Sequence, residues 1–132
     1  MSTENDQIFD TIKRFMDTIG RKDYDAALPY VAENCEYTNS PMGTVTGPQG
    51  VRDVLEPFFA PTIENEFVWK HTAVDGDVAF VERVDRHLLE DGWVELPVTG
   101  VFRVEDGKIT MWRDYFDLAT IMNKWPQPDQ TG

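Results

Sequence analysis

The chain holds a single cysteine, Cys35, and two histidines, and it has half as many basic as acidic side chains, 12 against 24. With one cysteine no intrachain disulfide forms, which suits a reducing compartment. Cys35 itself reads as a small buried residue rather than a nucleophile. His71 and His87 do not stand at metal-motif spacing, so neither a metal nor a cofactor is expected. A net charge of −12 supplies no basic stripe for nucleic acid or an anionic membrane. No apolar run approaches the ~18 residues of a membrane span. The polar start MSTENDQ lacks the basic and apolar regions of a signal peptide, so a cytoplasmic location is expected. Phosphate loop, dinucleotide fingerprint and Gly-x-Ser-x-Gly elbow are all missing. Internal repeats and low-complexity segments are missing too.

What is present points to a folded protein. At 132 residues, with 41% hydrophobic and 12% aromatic content, the chain suits one domain, taken as 1–125, with a disordered tail at 126–132. Ile8, Ile12, Phe15, Met16 and Ile19 recur at helical spacing and predict a helix over about 5–20, stopped by Gly20. Asp23 is placed to cap a second helix carrying Ala26, Ala27, Tyr30 and Val31, with Pro29 as a strain within it. A short strand is expected at 35–39 and a loop over SPMGTVTG. A third helix opens at Pro48, with Val51, Leu55 and Phe58 on one face and a ragged end at Pro57.

The second half changes period. Segments 64–74, 78–88, 93–104 and 108–116 are rich in Val, Phe, Trp and Thr. Asp75-Gly76, Asp91-Gly92 and Asp106-Gly107 separate them as hairpin signals. Helices followed by a meander of long strands give an α+β fold, in which a curved sheet wraps the N-terminal helices and leaves a cavity. A last helical turn at 118–125 is expected to cover its mouth.

Polar residues fall into register on these strands. Alternation in VERVDRH puts Val81, Arg83, Asp85 and His87 on one face, with Phe80 and Val84 on the other. Tyr37 and Asn39 share a face in CEYTN. In GKITMWRDYFD, Asp114 shares its face with Trp112 and Phe116, while Arg113 and Tyr115 turn away. Taken singly, each of these is an ordinary solvated strand face.

Together, Tyr37-Thr38-Asn39, Arg83-Val84-Asp85, Gly100-Val101-Phe102 and the run from Gly107 to Asp117 resemble the limonene-1,2-epoxide hydrolases. The resemblance covers most of the chain, and all five polar positions that family uses are present. It implies a cone-shaped curved mixed sheet of the NTF2-like and SnoaL-like group, with a deep apolar pocket. Isomerases, polyketide cyclases and non-enzymes share that fold, so fold alone decides little. The resemblance further implies one-step hydration of an apolar cyclic or terpene-like epoxide to a vicinal diol. Asp114 is then the base acting on water, Tyr37 and Asn39 hold that water, Asp85 is the acid, and Arg83 orients both carboxylates. It also implies a homodimer through the outer sheet face, with the small epoxide and water as the partners.

Two readings from other classes stay open: an isomerase- or cyclase-like proton-transfer enzyme, and a non-catalytic small-molecule-binding domain. The large epoxide hydrolases with an aspartate nucleophile do not fit in 132 residues. For the substrate wall the expected residues are Trp112 and Phe116 beside Asp114, with Leu96, Val98, Met42, Ile121, Phe58 and Trp69. His87 is placed at the cavity mouth. One geometric condition applies. Two-residue loops at both Asp91-Gly92 and Asp106-Gly107 would send Asp85 and Asp114 to opposite faces, so one turn needs an extra residue or a bulge. Glu105-Asp106-Gly107 suits it. Both aspartates would then flank Val98, with Cα atoms about 9–10 Å apart, two strand spacings.

Overall fold

Ile8, Ile12, Phe15, Met16 and Ile19 are all buried along one side of helix α1 (Glu4–Gly20), as their spacing requires. Thr3 and Asp6 close a capping box at its start, satisfying two otherwise free amides. The computed structural model describes residues 3–40 and 42–126. The tail at 126–132 therefore lies outside the described residues, Pro126 excepted.

Helix α2 (Tyr24–Ala27) is a single turn capped by Asp23, shorter than its apolar positions suggest. Pro29 ends it by diverting Leu28–Tyr30 into a 3₁₀ turn. Val31 is already in strand β1 (Val31–Ser40), twice the expected length. Part of the expected loop is a strand, β2 (Gly43–Thr46), paired antiparallel to β1 through Tyr37 with Val45 and Asn39 with Gly43. Helix α3 (Gly47–Phe59) carries Pro48 in its first turn and runs only two residues past Pro57.

The four long strands follow as β3 (Glu64–Asp75), β4 (Val78–Leu89), β5 (Gly92–Glu105) and β6 (Lys108–Phe116). Asp117 caps the closing helix, α4 (Leu118–Lys124), by accepting from the Ala119 amide. The strands make one mixed sheet in the order β2-β1-β6-β5-β4-β3, in which β1 runs parallel to β6 and every other pair is antiparallel. Two apolar clusters lie against its inner face. One packs α1, α2 and α3 on Phe102, Ile109 and Trp112, and the other gathers Leu89, Leu96 and Val98 under Ile121 and Trp125. No helix among the described residues is long and apolar enough to cross a membrane.

Gly100, in the middle of β5, sits opposite Val81 on β4 and Asp114 on β6. A Cβ there would collide with the Arg83 guanidinium and lie 2.9 Å from Phe102 Cε1 and 3.0 Å from Asp114 Oδ1. The missing side chain is the space that the arginine occupies. Replacing Gly100 by alanine would restrict the unfolded chain, a gain of about 0.4–1 kcal/mol. Overpacking a fixed neighbour costs about 1–3 kcal/mol, so the loss wins. Gly100→Ala is expected to lower the urea midpoint accordingly, and a midpoint equal to wild type would show that the guanidinium moves freely.

Candidate active site

Burial alternates along β4, so Val81, Arg83, Asp85, His87 and Leu89 face inward. On β6 the alternation is broken once, and that break places the second carboxylate. Glu105 pairs with Lys108 across a two-residue Asp106-Gly107 turn, both residues having positive φ, as a tight hairpin of this kind needs. The extra residue is therefore not in the turn, as the sequence suggested, but in the strand. Arg103 pairs with Met111 and Val104 with Ile109, leaving Thr110 as a bulge. Ile109 points inward before it, and Trp112 and Asp114 point inward after it. Without the bulge, period two would send Asp114 to the outer face.

The register also corrects the expected juxtaposition. The β4–β5 loop is Glu90-Asp91, with Gly92 already paired to Leu89, so Asp85 stands opposite Leu96 and Arg83 opposite Val98. Asp114 stands opposite Gly100. The aspartates do not both flank Val98. They lie diagonally across β5, and Arg83 spans the diagonal.

Arg83 Nε donates to Asp85 Oδ1 at 2.7 Å, and its Nη2 donates to Asp85 Oδ2 at 3.2 Å and to Asp114 Oδ2 at 2.8 Å. All three residues are buried, Arg83 at 2% exposure and each aspartate at 6%. The other oxygen of Asp114, Oδ1, accepts from the Trp112 indole at 2.7 Å. Trp112 is itself sandwiched, stacked on Tyr37 at 3.9 Å and on Phe102 at 5.6 Å between centroids. The parallel β1–β6 pairing sets Tyr37 beside Trp112 and Asn39 beside Asp114. The Tyr37 hydroxyl donates to Asn39 Oδ1 at 3.0 Å. All five polar residues singled out in the sequence thus converge.

Burial sets the protonation states. Loss of hydration raises Asp85 to about 6, although the Arg83 charge and hydrogen bonds pull the other way, with Asp114 adding to the rise. Burial likewise opposes the Arg83 charge, but the two carboxylates outweigh it and hold its pKa above the ordinary guanidinium value. Tyr37 is held well above its usual range, by burial first and by Asp114 second, so its hydroxyl stays protonated. No group of three or more His, Cys, Asp or Glu converges as a metal site among the described residues.

These groups open onto a cavity of about 150 Å³. Trp112, Phe116, Leu96, Val98, Met42, Ile121 and Phe58 line it, as expected from the sequence. Met42 does so from the rim, at 66% exposure. Trp69 does not line it. A bulge at Lys70 follows it in β3, and its ring packs edge-on against Phe9 of α1, under Lys13. His87 is not at the mouth but inside, 1% exposed. The wall also includes Met16, Ile19, Val54, Leu55, Phe59 and Phe67, which the sequence reading did not assign to it. Met16 and Ile19 were recognisable as the inward stripe of α1, but nothing in a helical period says which part of the stripe meets a void.

Comparison with known proteins places the chain in a family and the fold in a group. An epoxide hydrolase, EphG, from Mycobacterium tuberculosis (strain ATCC 25618 / H37Rv) is 27% identical over 107 residues, covering 81% of this chain and 71% of that protein. The structure of an LEH-like epoxide hydrolase from M. tuberculosis superposes with a TM-score of 0.75 at 25% identity, over 89% of this chain and 87% of the other. An NTF2-like protein of unknown function from Burkholderia pseudomallei K96243 superposes with a TM-score of 0.76 at 21% identity, over 93% and 97% of the two chains, and speaks for the fold alone. The model of the limonene-1,2-epoxide hydrolase catalytic domain matches residues 6–127, nearly the whole chain, and the chain belongs to that family.

Proposed function

We propose that the protein is an epoxide hydrolase that adds water to an apolar cyclic or terpene-like epoxide, of the limonene-1,2-epoxide type, giving a vicinal diol in one step. The observation that carries this reading is the buried arginine held between two aspartates at the edge of an apolar cavity. Opening an epoxide needs a nucleophile at carbon and a proton for the departing oxygen. The two carboxylates supply these separately if only one of them holds a proton.

Asp85, raised to about 6, is the acid. Asp114 is the base, its oxygens oriented by Trp112 and Arg83. Tyr37 spends its hydroxyl proton on Asn39, which leaves the Tyr37 oxygen as an acceptor and the Asn39 Nδ2 as a donor. A water between them can donate to Asp114 and to Tyr37 and accept from Asn39, keeping one lone pair for the epoxide carbon. As the new C–O bond forms, Asp114 takes the water proton. The epoxide C–O bond breaks, and its oxygen takes the proton of Asp85. Return of the proton from Asp114 to Asp85 closes the cycle. The apolar wall excludes bulk water and suits a hydrocarbon skeleton. Isomerase and cyclase chemistry share only the wider fold, and neither calls for a guanidinium joined to both acids.

Asp85→Asn and Asp114→Asn are each expected to reduce diol formation from a cyclic alkene oxide by roughly 10²–10⁴-fold. Because the residues act in one step, the double variant should be little worse than either. Turnover near wild type in a folded single variant would remove that residue from the chemistry.

The pH dependence has a definite sign. Asp85 must be protonated, its pKa is raised to about 6, and its protonated fraction falls as pH rises through that value. The kcat/KM profile should therefore decline on its alkaline side with an apparent pKa near 6 that disappears in Asp85→Asn, measured on whatever residual rate that variant retains. A flat profile between pH 5 and 8 would contradict the assignment.

Direct attack also fixes the origin of the new oxygen. A single turnover in isotopically labelled water, with enzyme in excess, should place the label in the diol at once. An unlabelled first diol, with label appearing later in an aspartate, would require a covalent ester instead.

A further inference from the structure

His87 is the polar group of the cavity wall that the proposed reaction leaves unused. Its ring is enclosed by Phe58, Phe59, Phe67 and Trp125, with centroids 5.0–6.3 Å away. A chain of hydrogen bonds fixes its tautomer. The Thr62 hydroxyl donates to the Phe59 carbonyl at 2.7 Å, so the Thr62 oxygen is left to accept. It accepts from Asn65 Nδ2 at 2.9 Å, and the same nitrogen donates to the Gly20 carbonyl at 3.2 Å. Both contacts demand an N–H, which places the amide oxygen of Asn65 on the other side. That oxygen meets His87 Nδ1 at 2.7 Å. A carbonyl oxygen only accepts, so Nδ1 carries the ring proton.

The other nitrogen, Nε2, is then a bare lone pair in the neutral ring. It is buried and has no hydrogen-bond partner among the described residues, and although His87 lines the cavity, a hydroxyl reaches Nε2 only when one of the rings packed around it turns aside. Burial, and next the charge of Arg83, lower the pKa of His87 to about 4, so the ring is neutral at pH 7. Asn65 pairs with His87 across β3 and β4, so the device is fixed by the sheet itself. His87 lies two residues beyond Asp85 on the same face, about 7 Å along the strand.

We infer that His87 Nε2 recognises the substrate, and that the epoxide taken by this cavity carries a hydroxyl group on its otherwise apolar skeleton, several bonds from the epoxide ring. The hydroxyl donates to Nε2 while the epoxide oxygen faces Asp85. The epoxide end of this assignment rests on the hydrolase reading; the hydroxyl end rests on the Asn65 network alone. A plain hydrocarbon bound at this wall leaves a buried acceptor unpaired, and a site built to bond a hydroxyl discriminates against the analogue lacking it.

Two measurements on the intact protein test this. With isotope-labelled histidine, the nitrogen resonances of His87 at pH 7 should report the Nδ1–H tautomer. Cyclohexylmethanol should move the Nε2 resonance upfield, and cyclohexylmethyl methyl ether should not. The Nε2–H tautomer, or an equal response to alcohol and ether, overturns the inference. For turnover, the pair is cyclohexene oxide bearing a hydroxymethyl group and its methyl counterpart. Wild type should favour the hydroxymethyl compound in kcat/KM by at least about tenfold, and His87→Leu should bring the ratio to one or below. Equal hydrolysis of both by wild type overturns the role of His87 and leaves the hydrolase reading standing. Hydrolysis of neither sinks the hydrolase reading, and the nitrogen titration then decides the role of His87 by itself.

Discussion

A guanidinium 2% exposed is the costliest object in this protein, and the arrangement around it follows from that cost. Removing a charge from water is tolerable only when it is paired, and here Nε and Nη2 bind the two carboxylates while the buried Nη1 has no hydrogen-bond partner among the described residues. Two carboxylates on one arginine overcompensate, leaving the trio at −1 when both are ionised. One proton makes it neutral. A low-dielectric interior favours the neutral count, and the raised pKa of Asp85 expresses that preference. The same requirement explains Gly100, whose lack of a side chain gives the guanidinium its place. It also explains the Thr110 bulge, without which the second carboxylate would not face it.

Much of this was legible in the sequence, because strand periodicity is a strong signal. Arg83, Asp85 and His87 fall on one face simply because they are two apart, and the burial pattern of β4 agrees. The Asp-Gly pairs marked the hairpins to within a residue. Registers were not legible. Whether the loop is Glu90-Asp91 or Asp91-Gly92 moves Asp85 from Val98 to Leu96 without changing its face, so no alternation argument detects it. An extra residue was demanded by placing Asp85 and Asp114 on one face, but its location at Thr110 depends on a competition between turn and strand that local residue types do not resolve. β2 was missed because four residues with one apolar side chain carry no period. Trp69 was misplaced because an aromatic on an inward face can serve a helix as readily as a cavity.

Trp112 ties the electrostatics to the packing. Its indole nitrogen holds Asp114, while its faces are stacked between Tyr37 and Phe102 and its edge meets Phe15 of α1. One rigid side chain thus fixes a carboxylate by hydrogen bond and fixes itself by contacts from β1, β5 and a helix. A carboxylate held by groups with no rotameric freedom of their own needs little reorganisation when its charge changes. The aromatics around Asp114 are therefore structural support for the charge as well as a wall for the cavity.

The parallel pairing of β1 with β6 divides the site by chain separation. Asp85 and Asp114 are 29 positions apart (114 − 85) and are joined through consecutive hairpins. Asn39 and Asp114 are 75 apart (114 − 39) and meet only because β1 inserts beside β6 after the whole meander has intervened. Closing the longer loop costs about 0.8 kcal/mol more by chain statistics alone. The charged half of the site is thus a local product of the hairpins, and the half bearing Tyr37 and Asn39 is a non-local one. A lesion in the β1–β6 seam would release the tyrosine and asparagine while the arginine and both aspartates stayed joined.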